Sequence, residues 1–406
     1  MKKNRFSGIF LSLLIAGGIS FADVNFSGMA GGTAGIKGTI SENPGFEVPF
    51  NGFIAAQLNL GSWGIFRANL GLASKNLAGG NLFTGQDATL TMNELSLVIT
   101  NSSGKIKNYF GFYFGTYEAT GCDEYLQRQF GVEPYTSLAT KNATTLSTGI
   151  PLYDNYGAGF SYTMNFADAP GTFGASIYFN ETESKLSKLN IDLRTAWVTK
   201  LMTLDFSAGI GAPLQNTASG NNVFLLIDTI YLHGGLSLLI GNRYTHSFLL
   251  QAGVQNVELA KGSINYSFSG ADDLSLLAEA RVYSKVLKTR ITAYNLPKST
   301  LKNMLYLNDS LGVVVSLYSD TIPVKNNNMT AGAHIIGTLP QSDFTTVIDG
   351  SAFTSGTPVV NAYITPFVDL PLGGGNLEIM AQIGGHDILN NLQFSYQAKA
   401  GYKKSF

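Results

Sequence analysis

The chain has 406 residues, of which 13% are charged, 12% are aromatic and 46 are glycine. Soluble domains carry about 25% charged residues, so a surface built from this composition would self-associate in water and is ordinary only against lipid. Its 26 basic and 27 acidic side chains lack the basic clustering of a nucleic-acid footprint, and its single cysteine, Cys122, admits no internal disulfide.

Lys2, Lys3 and Arg5 precede an apolar run from Gly8 to Ile19, and Ser20-Phe21-Ala22 supplies the small residues of a signal-peptidase site. The run is shorter than the roughly 20 residues that span a bilayer as a helix, so a cleaved secretory signal over residues 1–22 is expected, with an uncleaved anchor as the alternative. Cleavage after Ala22 leaves residues 23–406 as one domain, and loss of the three basic residues takes its charge to about −4. No cysteine follows the site, which argues against a lipoprotein. Beyond it the longest apolar runs, such as VFLLI and LGVVV, are broken within a few residues by polar residues or glycine, which excludes a helical membrane protein.

From Asp23 onward the chain repeats segments of about ten alternating residues separated by turn chemistry. NGFIAAQLNL and GIFRANLGLAS flank a turn at Gly61-Ser62-Trp63-Gly64, with Phe66, Ala68, Leu70 and Leu72 on one parity and Arg67 and Asn69 on the other. NELSLVIT and IKNYFGFYFGTY form a second hairpin, and YGAGFSYTMNF and FGASIYF a third. KLNIDLRTAWVT sets Ile191, Leu193 and Trp197 against Asn190, Asp192 and Arg194. LSLLAEARVYSKVLKTRITAYNL sets Leu276, Ala278, Ala280 and Val282 against Glu279 and Arg281, and continues with Lys288, Arg290 and Thr292 on a polar parity. A glycine turn at 373–375 joins two more strands, and the chain closes with LQFSYQAKAGYKKSF, where Phe394, Tyr396, Ala398, Ala400 and Tyr402 share one face.

Alternation over nearly the whole domain predicts an antiparallel sheet with lipid on the apolar face and water on the polar one. Such a sheet must close, because an open edge in hydrocarbon leaves backbone groups unsatisfied. The expected fold is therefore a single all-β transmembrane barrel of about 16 strands, within 14 to 18, whose last strand pairs with the first, near VNFSGMAGGTAGI.

With these features the chain resembles a bacterial outer-membrane β-barrel porin. The resemblance implies an assembly signal in the last strand, matched here by Lys399, Gly401 and Phe406, with Lys404 where an apolar residue is usual. It also implies outer-membrane lipid and the barrel-assembly machinery as partners, small hydrophilic solutes as cargo, a homotrimer as one assembly, and no cofactor.

The longest interruption, from Glu118 to Tyr156, carries Glu118, Asp123, Glu124, Glu133 and Asp154 against Arg128 and Lys141. Loops of this length are usually functional; in porins the loop after an early strand pair typically folds into the barrel. It is expected to narrow the lumen and bias it toward cations, the alternative being an outer loop that stays outside. Charges in a membrane face water, so Arg67, Asp192, Arg194, Glu279, Arg281, Lys288 and Arg290 are the wall candidates, joined by Asp123, Glu124 and Arg128 from the loop.

No nucleophile elbow, phosphate loop, zinc-protease motif or paired-cysteine metal site occurs, and Ser299 and Lys302 form an S-x-x-K without its companion motifs. His233, His246, His334 and His386 are scattered. The expected function is a diffusion porin, mildly cation-preferring and not an enzyme. A surface adhesin or structural barrel with a blocked lumen is the alternative, and a hydrophobic-substrate channel or an outer-membrane hydrolase ranks lower.

Overall fold

A computed structural model describes residues 24–40, 46–77, 88–182, 185–216, 223–225, 229–260, 273–324, 327–340, 342, 346–347, 350–354 and 358–406. The expected signal and its cleavage site at Ala22 lie outside the described residues.

Among the described residues twenty strands form one antiparallel sheet, two of them no more than short extensions at Phe46–Glu47 and Val223–Leu225. The other eighteen make the barrel: β1 (Val24–Ile40), β2 (Phe50–Leu60), β3 (Gly64–Ser74), β4 (Ala88–Ser103), β5 (Ile106–Thr116), β6 (Tyr156–Phe166), β7 (Gly171–Thr182), β8 (Lys185–Val198), β9 (Met202–Asn216), β10 (Thr229–Gly241), β11 (His246–Ala260), β12 (Leu274–Tyr283), β13 (Lys288–Asn295), β14 (Leu311–Val324), β15 (Asn327–Thr338), β16 (Asn361–Leu372), β17 (Gly375–His386) and β18 (Gln393–Ser405). Each pairs with its sequence neighbour, and β18 closes on β1 from Met29↔Ser405 to Ile40↔Phe394. The aromatic face of the last strand thus borders the first, and Phe406 stacks on Phe26 at 5.8 Å between ring centroids.

Eighteen strands correct the expected count of about 16. The continuous run from Leu274 to Asn295 is a hairpin: β12 and β13 pair from Leu276↔Asn295 to Tyr283↔Lys288. Its turn has no Gly, Pro, Asn or Asp. Ser284 makes it instead, its Oγ accepting from the amide of Leu287 at 2.9 Å and donating to the Leu287 carbonyl at 2.8 Å.

Turns of two to four residues join the strands at the end that holds Val24 and Ser405, and the long connections 117–155, 296–310 and 339–360 lie at the other. That asymmetry is the one expected of an outer-membrane barrel. Large apolar side chains cover the outside, among them Ile177, Ile191, Leu193, Phe206, Ile291, Ile335 and Ile364. The intervening residues point inward, so Asn190, Asp192, Ser207, Glu279 and His334 are buried. Among the described residues no helix is long and apolar enough to cross a membrane; the chain crosses with strands.

Candidate functional site

The lumen is narrowed by two connections that fold into it. Residues 117–155 leave β5, form the helix α1 (Glu124–Phe130) and a turn of 3-10 helix at Leu138–Thr140, and return to β6. Gly131 ends α1 in the left-handed region at φ 64°, where a side chain would strain the backbone. The second connection, 296–310, carries the short helix α2 (Lys298–Leu301). The two meet as a miniature ladder: the amide of Ala143 donates to the Asn303 carbonyl at 2.7 Å and that of Leu305 to the Lys141 carbonyl at 2.8 Å.

Apolar burial holds both connections in place. Tyr125, Leu126, Ile150 and Leu152 of the first and Leu296, Leu305, Tyr306 and Leu307 of the second join one cluster with inward wall residues Leu239, Leu249, Leu277, Val314 and Ile336. The inner face of the β10–β15 wall is therefore partly apolar where the loops cover it. Alternation alone assigns the inward parity to water. It does not register a loop that supplies its own oil.

Polar anchors fix the register. Asp123 accepts from the amides of Tyr135 at 3.0 Å and Thr136 at 3.3 Å, and from the hydroxyls of Thr136 at 2.6 Å and Thr148 at 3.0 Å. Burial pushes its carboxyl above the ordinary range, against the downward pull of those bonds. Arg128 makes a two-pronged contact with Glu94 on β4, at 2.7 and 3.3 Å, and a third with Glu118 at 3.5 Å. Burial opposes its charge, but Glu94, Glu124 and Glu118 outweigh that and raise its pKa. Burial also pushes the Cys122 thiol well up.

The wall candidates fall into separate groups. Arg194 forks onto Asp205 with two bonds of 2.8 Å, and its guanidinium lies 3.6 Å from the centre of the Tyr125 ring. Asp192 accepts from Tyr153 at 2.8 Å and lies 2.6 Å from Nε2 of His233. Glu279 holds Arg281 at 2.6 Å, Arg290 at 3.4 Å and Thr292 at 2.7 Å, and takes a hydrogen bond from Ser137 of the first loop. Buried ion pairs of this kind contribute little net stability, but breaking one strands a charge. These five residues lie under the first loop, Arg67 is buried on β3 beside Gln57, and Lys288 pairs with Asp320 near the short-turn end. Of the assembly-signal residues, Lys399 donates to the Leu305 carbonyl at 3.4 Å, and Gly401 leaves room for Thr33 and Leu146.

A cavity of about 910 Å³ runs beside the loops. Its lining includes Met29, Asn376 and Lys403 near the short turns and Asp154, Gln255 and Pro297 near the opposite end. Asp123 and Glu124 face it, and Glu124 is half-exposed. Sequence reading missed the second loop, whose cue was the apolar MLYL at 304–307, and the anchor by which Lys141 reaches Glu378 and, at 3.6 Å, Asp369.

No protein-family model and no curated protein matches the chain. Solved structures do. OccK8 (OprE) of Pseudomonas aeruginosa aligns with TM-score 0.51 and 11% identity over 94% of this chain and 98% of its own. OpdK, an outer-membrane protein of the same organism, gives TM-score 0.50 and 8% identity over 94% and 99%. A BenF-like porin from Pseudomonas fluorescens Pf-5 gives TM-score 0.48 and 9% identity over 95% and 100%. Identities this low speak to the fold alone, and the fold is that of a large outer-membrane β-barrel.

Proposed function

We propose that the protein is an outer-membrane porin: a water-filled channel through which small hydrophilic solutes diffuse passively, with a mild preference for cations. In this reading residues 1–22 are removed on export and 23–406 form the barrel domain. The observation that carries it is the cavity whose lining includes Met29, Asn376 and Lys403 near the short turns and Asp154, Gln255 and Pro297 near the loop end. Its walls bring together Glu94, Asp123, Glu124, Asp154 and Asp369 against Lys141 and Lys403. Most of these are engaged in fixed contacts. Glu124, 3.9 Å from Arg128, and Asp154, which accepts from the amide of Tyr156, are the exposed carboxylates among them and set a field that favours cations only weakly.

The test is single-channel recording of the refolded chain in a planar bilayer under a salt gradient. Steady open steps and a reversal potential of the cation-selective sign, moved toward zero by Glu124→Gln, are expected. One observation favours the rival reading of a blocked structural barrel: the loops bury a continuous apolar core across the lumen. A folded barrel that never conducts would establish that reading.

A further inference from the structure

The loops reach β16–β18 through Lys141, Leu305 and Leu146 and touch β4 where Arg128 meets Glu94, while Phe53, Ala55, Asn69 and Asn93 on the inner face of β2–β4 line the open cavity, and that face is built unlike the rest. Asn59, Gln57, Asn69, Asn93 and Thr91 succeed one another along it from the short-turn end toward the loop end. Nδ2 of Asn93 donates to Oδ1 of Asn69 at 3.4 Å, Thr91 donates to Oδ1 of Asn93 at 3.2 Å, and Nε2 of Gln57 donates to Oδ1 of Asn59 at 3.0 Å. Arg67 sits within the row, its Nε donating to Gln57 at 3.0 Å, and is itself buried.

Two irregularities serve this row. Glu94 faces inward, so alternation would aim Asn93 at lipid. A β-bulge between Asn69 and Leu70, whose partners jump from Glu94 to Met92, leaves Asn93 unpaired, and its side chain lines the cavity beside Asn69. Bulges re-aim side chains in this way. At Gly71 a Cβ would stand 2.6 Å from Oγ1 of Thr91 and 3.0 Å from Nδ2 of Asn93, so glycine leaves the space those side chains occupy. The nearby charge of Glu94 is meanwhile taken up by Arg128. Next to the amides, Phe53, Met29 and Ala55 give the cavity an apolar strip.

We propose that the β2–β4 wall is a recognition track for uncharged, hydroxyl-rich solutes of sugar size, with Asn69 and Asn93 as its specificity-determining residues. The proposal rests on the pore reading. Amides donate and accept without preference for charge, matching hydroxyls that do the same, and the apolar strip suits the C–H face of a pyranose ring.

The test is the swelling rate of liposomes carrying the full chain, in glucose, gluconate and glucosamine, three solutes of one size and different charge. Glucose is expected to enter faster than either charged analogue. The double variant Asn69→Leu with Asn93→Leu, similar in volume and lacking amides, should slow glucose about fivefold relative to the other two, the loss expected for about one hydrogen bond. Heat-modifiable migration on a gel confirms that the variant is folded. Glucosamine outrunning glucose, or equal slowing of all three solutes, would overturn the track while leaving the pore intact. A folded barrel that passes neither salt nor glucose would overturn the pore reading, and the track with it.

Discussion

Arg128 shows why a charged residue in a lumen cannot be given a role from its sequence position. It sits in the last turn of α1, yet its partners Glu94 and Glu118 come from a wall strand and the start of the loop. Replacing it with methionine strands both carboxylates, which should destabilise docking of the first loop by about 3–5 kcal/mol. Hydrogen exchange over residues 124–130 reads this directly. Protection should fall sharply in Arg128→Met and recover in part when Glu94→Gln is added; unchanged protection in the single variant would show the ion pair to be a passenger. Asp123 is an internal staple as much as a face of the cavity, since four donors converge on it. Asp123→Ala should therefore loosen the 131–149 segment, raising open-channel noise and proteolysis there, whereas Glu124→Gln should alter selectivity and leave proteolysis alone.

The elements divide by how local their causes are. Strands such as Tyr156–Phe166 are readable because period-two alternation is written in adjacent residues; β12 and β13 merge in the same reading because one serine makes their turn. The inward fold of 117–155 follows for porins from resemblance, but its clasp by 296–310 depends on contacts more than 150 residues apart in sequence, as between Ala143 and Asn303. Asn142 and Met304 face each other as an isolated antiparallel bridge between the two flanking bonds, the closely spaced kind of pair that suits a disulfide. Cysteines at both positions, in a Cys122→Ser background, should cross-link on oxidation and quiet the channel, with dithiothreitol restoring the noise. Failure to cross-link would mean that the loops do not meet.

For the whole molecule, the outward parity defines the membrane face. Ile191, near the middle of β8, is 48% exposed and flanked by Ile177, Leu193 and Ile210 on the outside. Ile191→Arg should destabilise the folded barrel by about 2–4 kcal/mol, as charges at the midplane do, seen as a lower melting temperature in detergent. The same change at exposed Lys285 in a short turn should be neutral. Equal tolerance at both sites would mean that Ile191 does not face lipid. At the seam, Phe406→Ala removes the stack on Phe26 and should weaken closure by about 0.5–1.5 kcal/mol, read as a lower temperature at which the barrel loses its compact form on a gel.

Alternation and low charge, read from sequence alone, were enough to determine that the chain is a closed barrel with a lipid face and a wet face, because side-chain direction in a strand is set by the two neighbouring residues and lipid tolerates no open edge. They also singled out the long acidic loop and the inward charges, Asp192, Arg194, Glu279 and Arg290 among them. Only the tertiary structure decided that those charges lie beneath the loop, that a second loop clasps the first, and that the cavity wall carries Asn69 and Asn93. Each of these depends on which distant segments fill the same volume of the lumen, and packing of that kind leaves no periodic mark on the sequence.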